Sequence, residues 1–162
     1  MQPFLHSLEA TGVGTMVRES LYGFPILVAI HVMGLVLSVG TLMWFDLRLL
    51  GVALQSAAVS RVYRRLMPWT FAGFSVMALS GGLLFTGYAS SAVGNMYFRI
   101  KVATIIVAAG NAAFYHLFTE RNGHLWDVNH VPPAAARRAG LVSLVAWAVV
   151  ILCGRMMAYT MY

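Results

Sequence analysis

The chain has little charge, few acidic residues and almost no cysteine. Charged residues make up 10% of its 162 residues, and only five residues are Asp or Glu. The single cysteine, Cys153, excludes a disulfide framework and a thiolate metal cluster. Phosphate-binding glycine loops, nucleophile elbows and Cys-x-x-Cys-His haem attachment motifs are also absent. These absences exclude several common classes of catalytic or covalently bound cofactor site.

Hydrophobic residues make up 60% of the chain, and the mean hydropathy is +0.76. This composition is typical of an integral membrane protein. Four apolar segments approach the roughly 20 residues that cross a hydrocarbon core. The sequence therefore predicts an all-α, integral membrane four-helix bundle, with residues 1–162 forming a single transmembrane domain. The predicted spans cover residues 20–45, 69–88, 102–119 and 140–161.

Two further segments have the apolar spacing of helices that lie on a membrane surface. Near the amino terminus, four apolar residues line one side of a predicted short interfacial helix: Leu5, Leu8, Val13 and Val17. In the first loop, apolar residues recur every three or four positions from Leu47 to Leu66, with arginines between them. This pattern predicts a second interfacial helix in that loop.

The distribution of Lys and Arg predicts the orientation in the membrane. Seven arginines fall in the first and third connections: Arg48, Arg61, Arg64, Arg65, Arg121, Arg137 and Arg138. The opposite side holds Arg18, Arg99 and Lys101. We therefore expect the first and third loops to be cytoplasmic and both termini to be periplasmic. Topology and anionic lipid account for the net charge of +6, so we expect no nucleic acid partner.

His31 lies near the middle of the first predicted span, where an ionisable side chain is costly and indicates a functional site. Gly34, Ser38 and Thr41 follow it on the same helix face and form a narrow stripe of small and polar residues. Such a stripe suits close helix packing, and it equally suits the approach of a flat macrocycle beside a histidine ligand. We predict haem ligation by His31; a structural role and a quinone or proton site are the alternatives.

Three cations fall in the same half of the predicted bundle as His31, namely Lys101, Arg99 and Arg155. We expect them to contact haem propionates or a quinone head group, although Arg155 can equally snorkel to the interface. His116, near the far end of the third span, is a candidate second axial ligand; a place at the cytoplasmic interface and ligation of a second haem are its alternatives. Lys101 in its neutral form is the other candidate for the second ligand. The candidate cofactor site thus contains six residues: His31, His116, Lys101, Arg155, Arg99 and Gly34. Of these, His31 and His116 are the candidate ligands of the haem iron.

Two other polar features need an explanation. Asn111 lies in an apolar span and is expected to have a hydrogen-bond partner, because an unpaired amide in hydrocarbon costs several kcal/mol. His124, Asp127 and His130 have a spacing that suits a metal if the third loop folds back. Since prolines and polar residues surround them, we expect an ordinary exposed loop.

Nearly the whole chain resembles a bacterial four-helix integral membrane family of unknown function. The resemblance rests on Val17-Arg18-Glu19-Ser20, Asp46-Leu47-Arg48-Leu49-Leu50-Gly51, Leu66-Met67-Pro68-Trp69, Phe98-Arg99-Ile100-Lys101 and Gly154-Arg155-Met156-Met157-Ala158-Tyr159. More distantly, the first-helix histidine and the lysine that opens the third helix are similar to those of haem-binding membrane protoporphyrinogen oxidases and copper-resistance D membrane proteins. The chain departs from these proteins between Ser38 and Leu49. In the oxidases the important positions match His31 and Lys101.

The residues and the resemblance together predict a bacterial inner-membrane protein that binds haem b. We expect a cytochrome b-like role in electron transfer within a larger redox assembly, with quinone as a candidate reaction partner. A cofactor-free accessory or assembly subunit of a respiratory or photosynthetic membrane complex is the alternative. A porphyrinogen-oxidising membrane enzyme is a further alternative, so the sequence leaves open whether the protein is an enzyme.

Overall fold

The structure is a computed structural model, and it describes residues 2–119 and 132–160. All the regular elements in these residues are helical. In chain order they are α1 (Gln2–Glu9), α2 (Gly12–Glu19), α3 (Gly23–Leu50), α4 (Val59–Gly87), α5 (Ala89–Gly94), α6 (Met96–Phe114), a π-helical segment (Tyr115–Thr119) and α7 (Ala134–Thr160). His124, Asp127 and His130 lie outside the described residues.

Four helices are long and apolar enough to cross a bilayer: α3, α4, α7, and α6 continued to Leu117. The predicted all-α four-helix membrane bundle is therefore confirmed, and the chain is a multi-pass membrane protein. The helices are longer than the predicted spans at several ends. α3 alone, with 28 residues, is roughly 42 Å long at 1.5 Å per residue, which exceeds the ~30 Å hydrocarbon core.

The predicted interfacial helix of the first loop does not form as a separate element. Its residues instead extend the last turns of α3 and the first turns of α4, leaving only positions 51–58 as the connection. Gly51 ends α3 in the left-handed conformation, at a φ of 75°, which glycine adopts without steric cost. Arg48, predicted to lie in the exposed loop, is 1% exposed and donates from Nε to the Ala57 carbonyl at 2.9 Å.

The two ends of the bundle consist of different helices and connections. The terminal side carries α1, α2 and α5, together with the end of α7, whereas the loop side carries the 51–58 connection and the π-helical segment. Two short helices, α1 and α2, occupy the amino-terminal segment, where one was predicted. Glu9 joins α1 to α5, because its Oε1 accepts from the backbone N–H and hydroxyl of Ser90 at 2.7 and 2.6 Å.

Helix α3 lies at the centre of the packing, since it contacts both α4 and α7, while α6 packs mainly on α7. α3 and α4 approach at Gly34 and Gly73: a Cβ built on Gly73 would lie 2.8 Å from the Gly34 carbonyl oxygen and 2.5 Å from the Ser38 backbone nitrogen. α6 has little backbone contact with either α3 or α4. The α3–α4 pair and the α6–α7 pair are therefore separated on the side of the bundle where α4 faces α6.

This packing corrects the prediction that Gly34 makes room for a cofactor. A Cβ on Gly34 would meet the Gly73 carbonyl oxygen and a Val76 methyl group, each at 3.0 Å. Further along the same stripe, the Thr41 hydroxyl hydrogen-bonds to the Thr70 hydroxyl at 2.7 Å. The small-residue stripe of α3 is therefore filled by α4, which is the common use of small residues in membrane helices.

The glycine contact generates a matched pair of substitutions on one helix. Gly73→Ala should lower the free energy of unfolding by about 1–3 kcal/mol, because the added methyl group forces α3 and α4 apart. Gly82→Ala is the control, since a Cβ at Gly82 has nothing within 4 Å. Unfolding of both variants by SDS in detergent micelles measures the difference. Equal stability of the two variants would contradict the close approach of the helices.

A second prediction concerns acid stability. The hydrogen bonds from Ser90 hold the pKa of Glu9 below its ordinary value of 4.5. The stability that this ionised carboxylate adds is thus present above pH 4.5 and is lost as the pH falls through the lowered pKa. The melting temperature of the wild type should therefore fall more steeply with decreasing pH than the melting temperature of Glu9→Gln. Glu19→Gln is the control, because the Glu19 side chain is exposed and its ion pair is with neighbouring Arg18. If Glu19→Gln changed the pH dependence as much as Glu9→Gln, the assignment to Glu9 would be contradicted.

Candidate functional site

His31 lies on α3 in the terminal half of the bundle and is held by α4. Its Nδ1 lies 2.9 Å from the Ser80 hydroxyl oxygen, which itself donates to the Val76 carbonyl at 2.6 Å. Because the serine proton is used there, the Ser80 oxygen accepts from Nδ1–H. The Met77 carbonyl lies 3.4 Å from the Ser80 oxygen and is a further acceptor near the imidazole. In the neutral ring, Nε2 therefore carries the lone pair.

Glycine gives the imidazole its space on α4. A Cβ built on Gly81 would lie 3.0 Å from His31 Cε1 and 3.4 Å from Nδ1. Any larger residue at this position would press on the ring and change its orientation. Ser80 and Gly81 are adjacent, so one turn of α4 provides both the hydrogen-bond acceptor and the space for the ring.

Lys101 is the charged neighbour of this histidine. It lies on the second turn of α6, close enough to His31 to interact with it electrostatically. Its Nζ is 3.8 Å from the position that a Cβ on Gly154 of α7 would occupy. Among the described residues, none forms a hydrogen bond or an ion pair with this ammonium group. The structure thus places His31 and Lys101 within electrostatic range of each other, on helices that otherwise make little contact.

The two arginines predicted for this site lie apart from the histidine and lysine. Arg155 is exposed, donates to the Tyr159 hydroxyl at 2.9 Å and lies over that ring at 5.0 Å from its centroid. These contacts keep it on its own helix, which matches the snorkelling alternative. Arg99 is also exposed, on the first turn of α6. Both residues mark the rim on the terminal side.

His116 lies apart from His31, so the structure does not bring these two candidate ligands together. His116 lies in the π-helical segment on the loop side, with its ring 5.4 Å from that of Tyr63. Tyr63 and Ser80, the α4 contacts of the two histidines, are separated by roughly 25 Å of helix at 1.5 Å per residue. Two axial ligands of one iron must both lie within about 2 Å of it. His31 and His116 therefore do not ligate a common haem in this conformation.

A second group of polar residues lines a cavity of about 270 Å³ on the loop side. Phe74 and Trp147, with ring centroids 5.0 Å apart, lie at the end of the cavity nearer the terminal side. Asp46, from the last turns of α3, is 3% exposed, and its Oδ2 has no hydrogen-bond partner. Ser143 of α7 donates a hydrogen bond to this carboxyl group. Asp46 and Ser143 were missed as candidate residues.

A signal for Asp46 is nevertheless present in the sequence. It is the only Asp or Glu within the four membrane helices. Because the first span was predicted to end at residue 45, this aspartate was assigned to a loop, where a carboxylate needs no explanation. The observed end of α3 at Leu50 places it more than a turn inside the helix.

The expected partner of Asn111 is present. Its side-chain nitrogen donates to the Ala139 backbone carbonyl of α7 at 2.9 Å, at the wall of the same cavity. This bond joins α6 to α7 across the loop half of the bundle. It also leaves the amide oxygen of Asn111 as an acceptor.

The two polar groups differ in the ligands that they suit. His31 and Lys101 offer one nitrogen lone pair and one cation, which suits an iron ligand position and an anionic or carbonyl group. Asp46 offers a carboxyl group to an otherwise largely apolar cavity. Within residues 2–119 and 132–160, no group of three or more His, Cys, Asp or Glu side chains is arranged to hold a metal ion.

A scan against protein-family models gives no match, and neither curated proteins nor solved structures yield a match to this chain. The resemblance to the four-helix family and to the haem-binding oxidases therefore stays a prediction from the quoted residues.

Proposed function

We propose that this protein binds one b-type haem in the terminal half of its bundle, with His31 as an axial ligand, and that it transfers electrons within the membrane. The observation that carries the proposal is the arrangement of His31. Its Nδ1–H is held by Ser80 and its Nε2 has the lone pair, inside a membrane helix. An ionisable residue at such a position is a functional group by default.

The hydrogen bond to Ser80 is of the kind that prepares a histidine for a metal. Metal-ligating histidines commonly donate their second N–H to a neighbouring acceptor, which fixes the ring orientation and the tautomer. Here Ser80 and the Met77 carbonyl supply that acceptor. The haem supplies one-electron chemistry when bound, while the protein holds and orients its ligand.

Lys101 supplies the second group that a haem needs. As an ammonium it offers a charged donor to a propionate, and as a neutral amine it offers a second iron ligand. The absence of a hydrogen-bond or ion-pair partner for Lys101 among the described residues supports either role. Arg99, exposed at the rim, is placed to meet a propionate that reaches the interface.

The remaining predicted ligands do not support a larger site. Gly34 packs against Gly73, and Arg155 contacts Tyr159 on its own helix. His116 lies on the loop side beside Tyr63. The proposal is therefore a single haem with His31 and Lys101 as its principal contacts. We extend it to quinone as a reaction partner, to a larger redox assembly, and to a bacterial inner membrane with both termini periplasmic.

Substitution of the two histidines tests the ligand assignment. His31→Ala should remove most of the bound haem, because it deletes the nitrogen ligand. His116→Ala should leave the haem-to-protein ratio unchanged, because His116 lies in the other half of the bundle. A reduced-minus-oxidised visible spectrum and a haem assay on protein purified in mild detergent measure both.

Each outcome of this experiment decides between functions. Equal loss of haem in both variants would contradict the single-site assignment. A wild-type protein without haem, expressed with haem supplied, would overturn the proposal and favour a cofactor-free accessory subunit of a respiratory or photosynthetic complex. Haem-dependent oxidation of a porphyrinogen with quinone as acceptor would instead indicate the porphyrinogen-oxidising enzyme.

Two cations on the terminal side provide a second comparison. Lys101→Leu should weaken haem retention and lower the midpoint potential of the haem that remains, because the reduced state loses a nearby positive charge. Arg155→Leu should change neither quantity, since Arg155 is held by Tyr159. Redox titration followed by absorbance gives both midpoints. A larger shift in the Arg155 variant would reverse the assignment of the propionate contact.

A further inference from the structure

The cavity on the loop side contains a carboxyl group that the haem proposal does not use. All four membrane helices contribute to its wall, and its volume is about 270 Å³. It shares none of its lining residues with the His31 and Lys101 site. Phe74 and Trp147 lie between the two sites along the bundle axis. The function of this cavity is therefore a separate question.

Asp46 is the unusual member of the cavity wall. The residue is 97% buried, its Oδ2 has no hydrogen-bond partner, and its carboxyl group hydrogen-bonds to Ser143. Within the part of the chain that the structure describes, no cationic side chain forms an ion pair with it. An unsatisfied carboxyl oxygen away from water is costly, so a ligand that donates a hydrogen bond to it would gain free energy.

Five aromatic side chains share the cavity with this acid. Phe45, Phe71, Phe74, Tyr115 and Trp147 all line the cavity. The faces of aromatic rings attract cations, and this attraction is strongest where water is excluded. A carboxyl group that shares a cavity with aromatic rings favours a ligand that is both apolar and positively charged.

The cavity also borders the lipid. α4 and α6, which line two of its walls, have little backbone contact with each other. Phe71 on α4 and Ala109 and Ala112 on α6 are exposed on the outer surface of the bundle while also lining the cavity. The gap between these helices opens a path from the hydrocarbon region, which a molecule dissolved in the bilayer can use.

We propose that this cavity binds a small lipophilic organic cation, with a protonated amine on the Asp46 carboxyl group and an aromatic or alkyl body against the rings. The volume of about 270 Å³ lies just below the 300–1,000 Å³ range of drug-sized pockets, so it suits a ligand with one ring. The amide oxygen of Asn111, whose nitrogen is bonded to Ala139, offers a second acceptor to the ammonium group.

Three probes of similar size test the proposal on the wild-type protein: benzylammonium, benzyl alcohol and benzoate. Isothermal titration of each into the purified protein in detergent, with micelles alone as the blank, gives the affinities. Benzylammonium should bind about tenfold or more tightly than benzyl alcohol, as expected for a charge-assisted hydrogen bond of about 1.5–3 kcal/mol. Benzoate should bind far more weakly than benzylammonium, since its carboxylate brings neither a cation nor a hydrogen-bond donor to Asp46.

Substitution of the acid then locates the binding site. Asp46→Asn should reduce the affinity for benzylammonium by about tenfold or more, to that of benzyl alcohol, while leaving benzyl alcohol unaffected. Glu19→Gln removes an exposed acid elsewhere and should change nothing. Should Asp46→Asn fail to fold, the comparison of the three probes on the wild type still decides the question.

The opposite results would overturn the proposal. Equal affinities for benzylammonium and benzyl alcohol would show that the cavity selects by shape and apolar contact alone, as for a lipid chain. No binding of benzylammonium, or binding that survives in Asp46→Asn, would show that Asp46 does not recognise a cation. Because the titrations need no haem, these outcomes are independent of the result at His31.

Discussion

A hydrocarbon environment supplies no hydrogen bonds, and the rest of this structure depends on that constraint. Polar side chains on the membrane helices meet it mostly within the protein. The hydroxyls of Ser38, Thr41 and Ser80 each donate to a backbone carbonyl one turn earlier. Such bonds satisfy the polar group without using a neighbouring helix. Polar side chains that keep an unpaired donor or acceptor are therefore exceptions on these helices.

Three side chains are exceptions of this kind among the described residues. His31 is bonded on one nitrogen, Lys101 has no hydrogen bond, and Asp46 has an orphaned carboxyl oxygen. His31 contacts α4, whereas Lys101 and Asp46 both lie against α7. One side of α3 is closed by packing against α4, while the loop half of the bundle leaves a cavity of about 270 Å³ beside Asp46.

Much of the architecture could be predicted from hydrophobicity alone, because helix length and apolar content are set locally. The four membrane helices and the need of Asn111 for a partner followed from the sequence. The boundaries near residue 46 did not, because Asp and Arg close together look like the start of a loop. Both residues are buried by contacts that the sequence does not reveal: Asp46 beside Ser143, and Arg48 on the Ala57 carbonyl.

The role of Gly34 and the distance between His31 and His116 were unpredictable for a related reason. A stripe of small residues has the same pattern whether it faces a helix or a macrocycle, and only the position of Gly73 on α4 distinguishes the two. The depths of two histidines on different helices depend on how far each helix extends beyond the bilayer. α6 continues through its π-helical segment, which carries His116 to the loop side.

The two proposed sites contain ionisable side chains of opposite charge type. The terminal half presents a lysine and a histidine, whereas the loop half presents an aspartate. In a medium of low dielectric constant a charged ligand is strongly repelled by a like charge, so an anionic group is favoured beside Lys101 and disfavoured beside Asp46. The aromatic pair of Phe74 and Trp147 lies between them. The two proposals therefore assign ligands of opposite charge to the two halves of one bundle, and each half supplies the side chain of the complementary charge type.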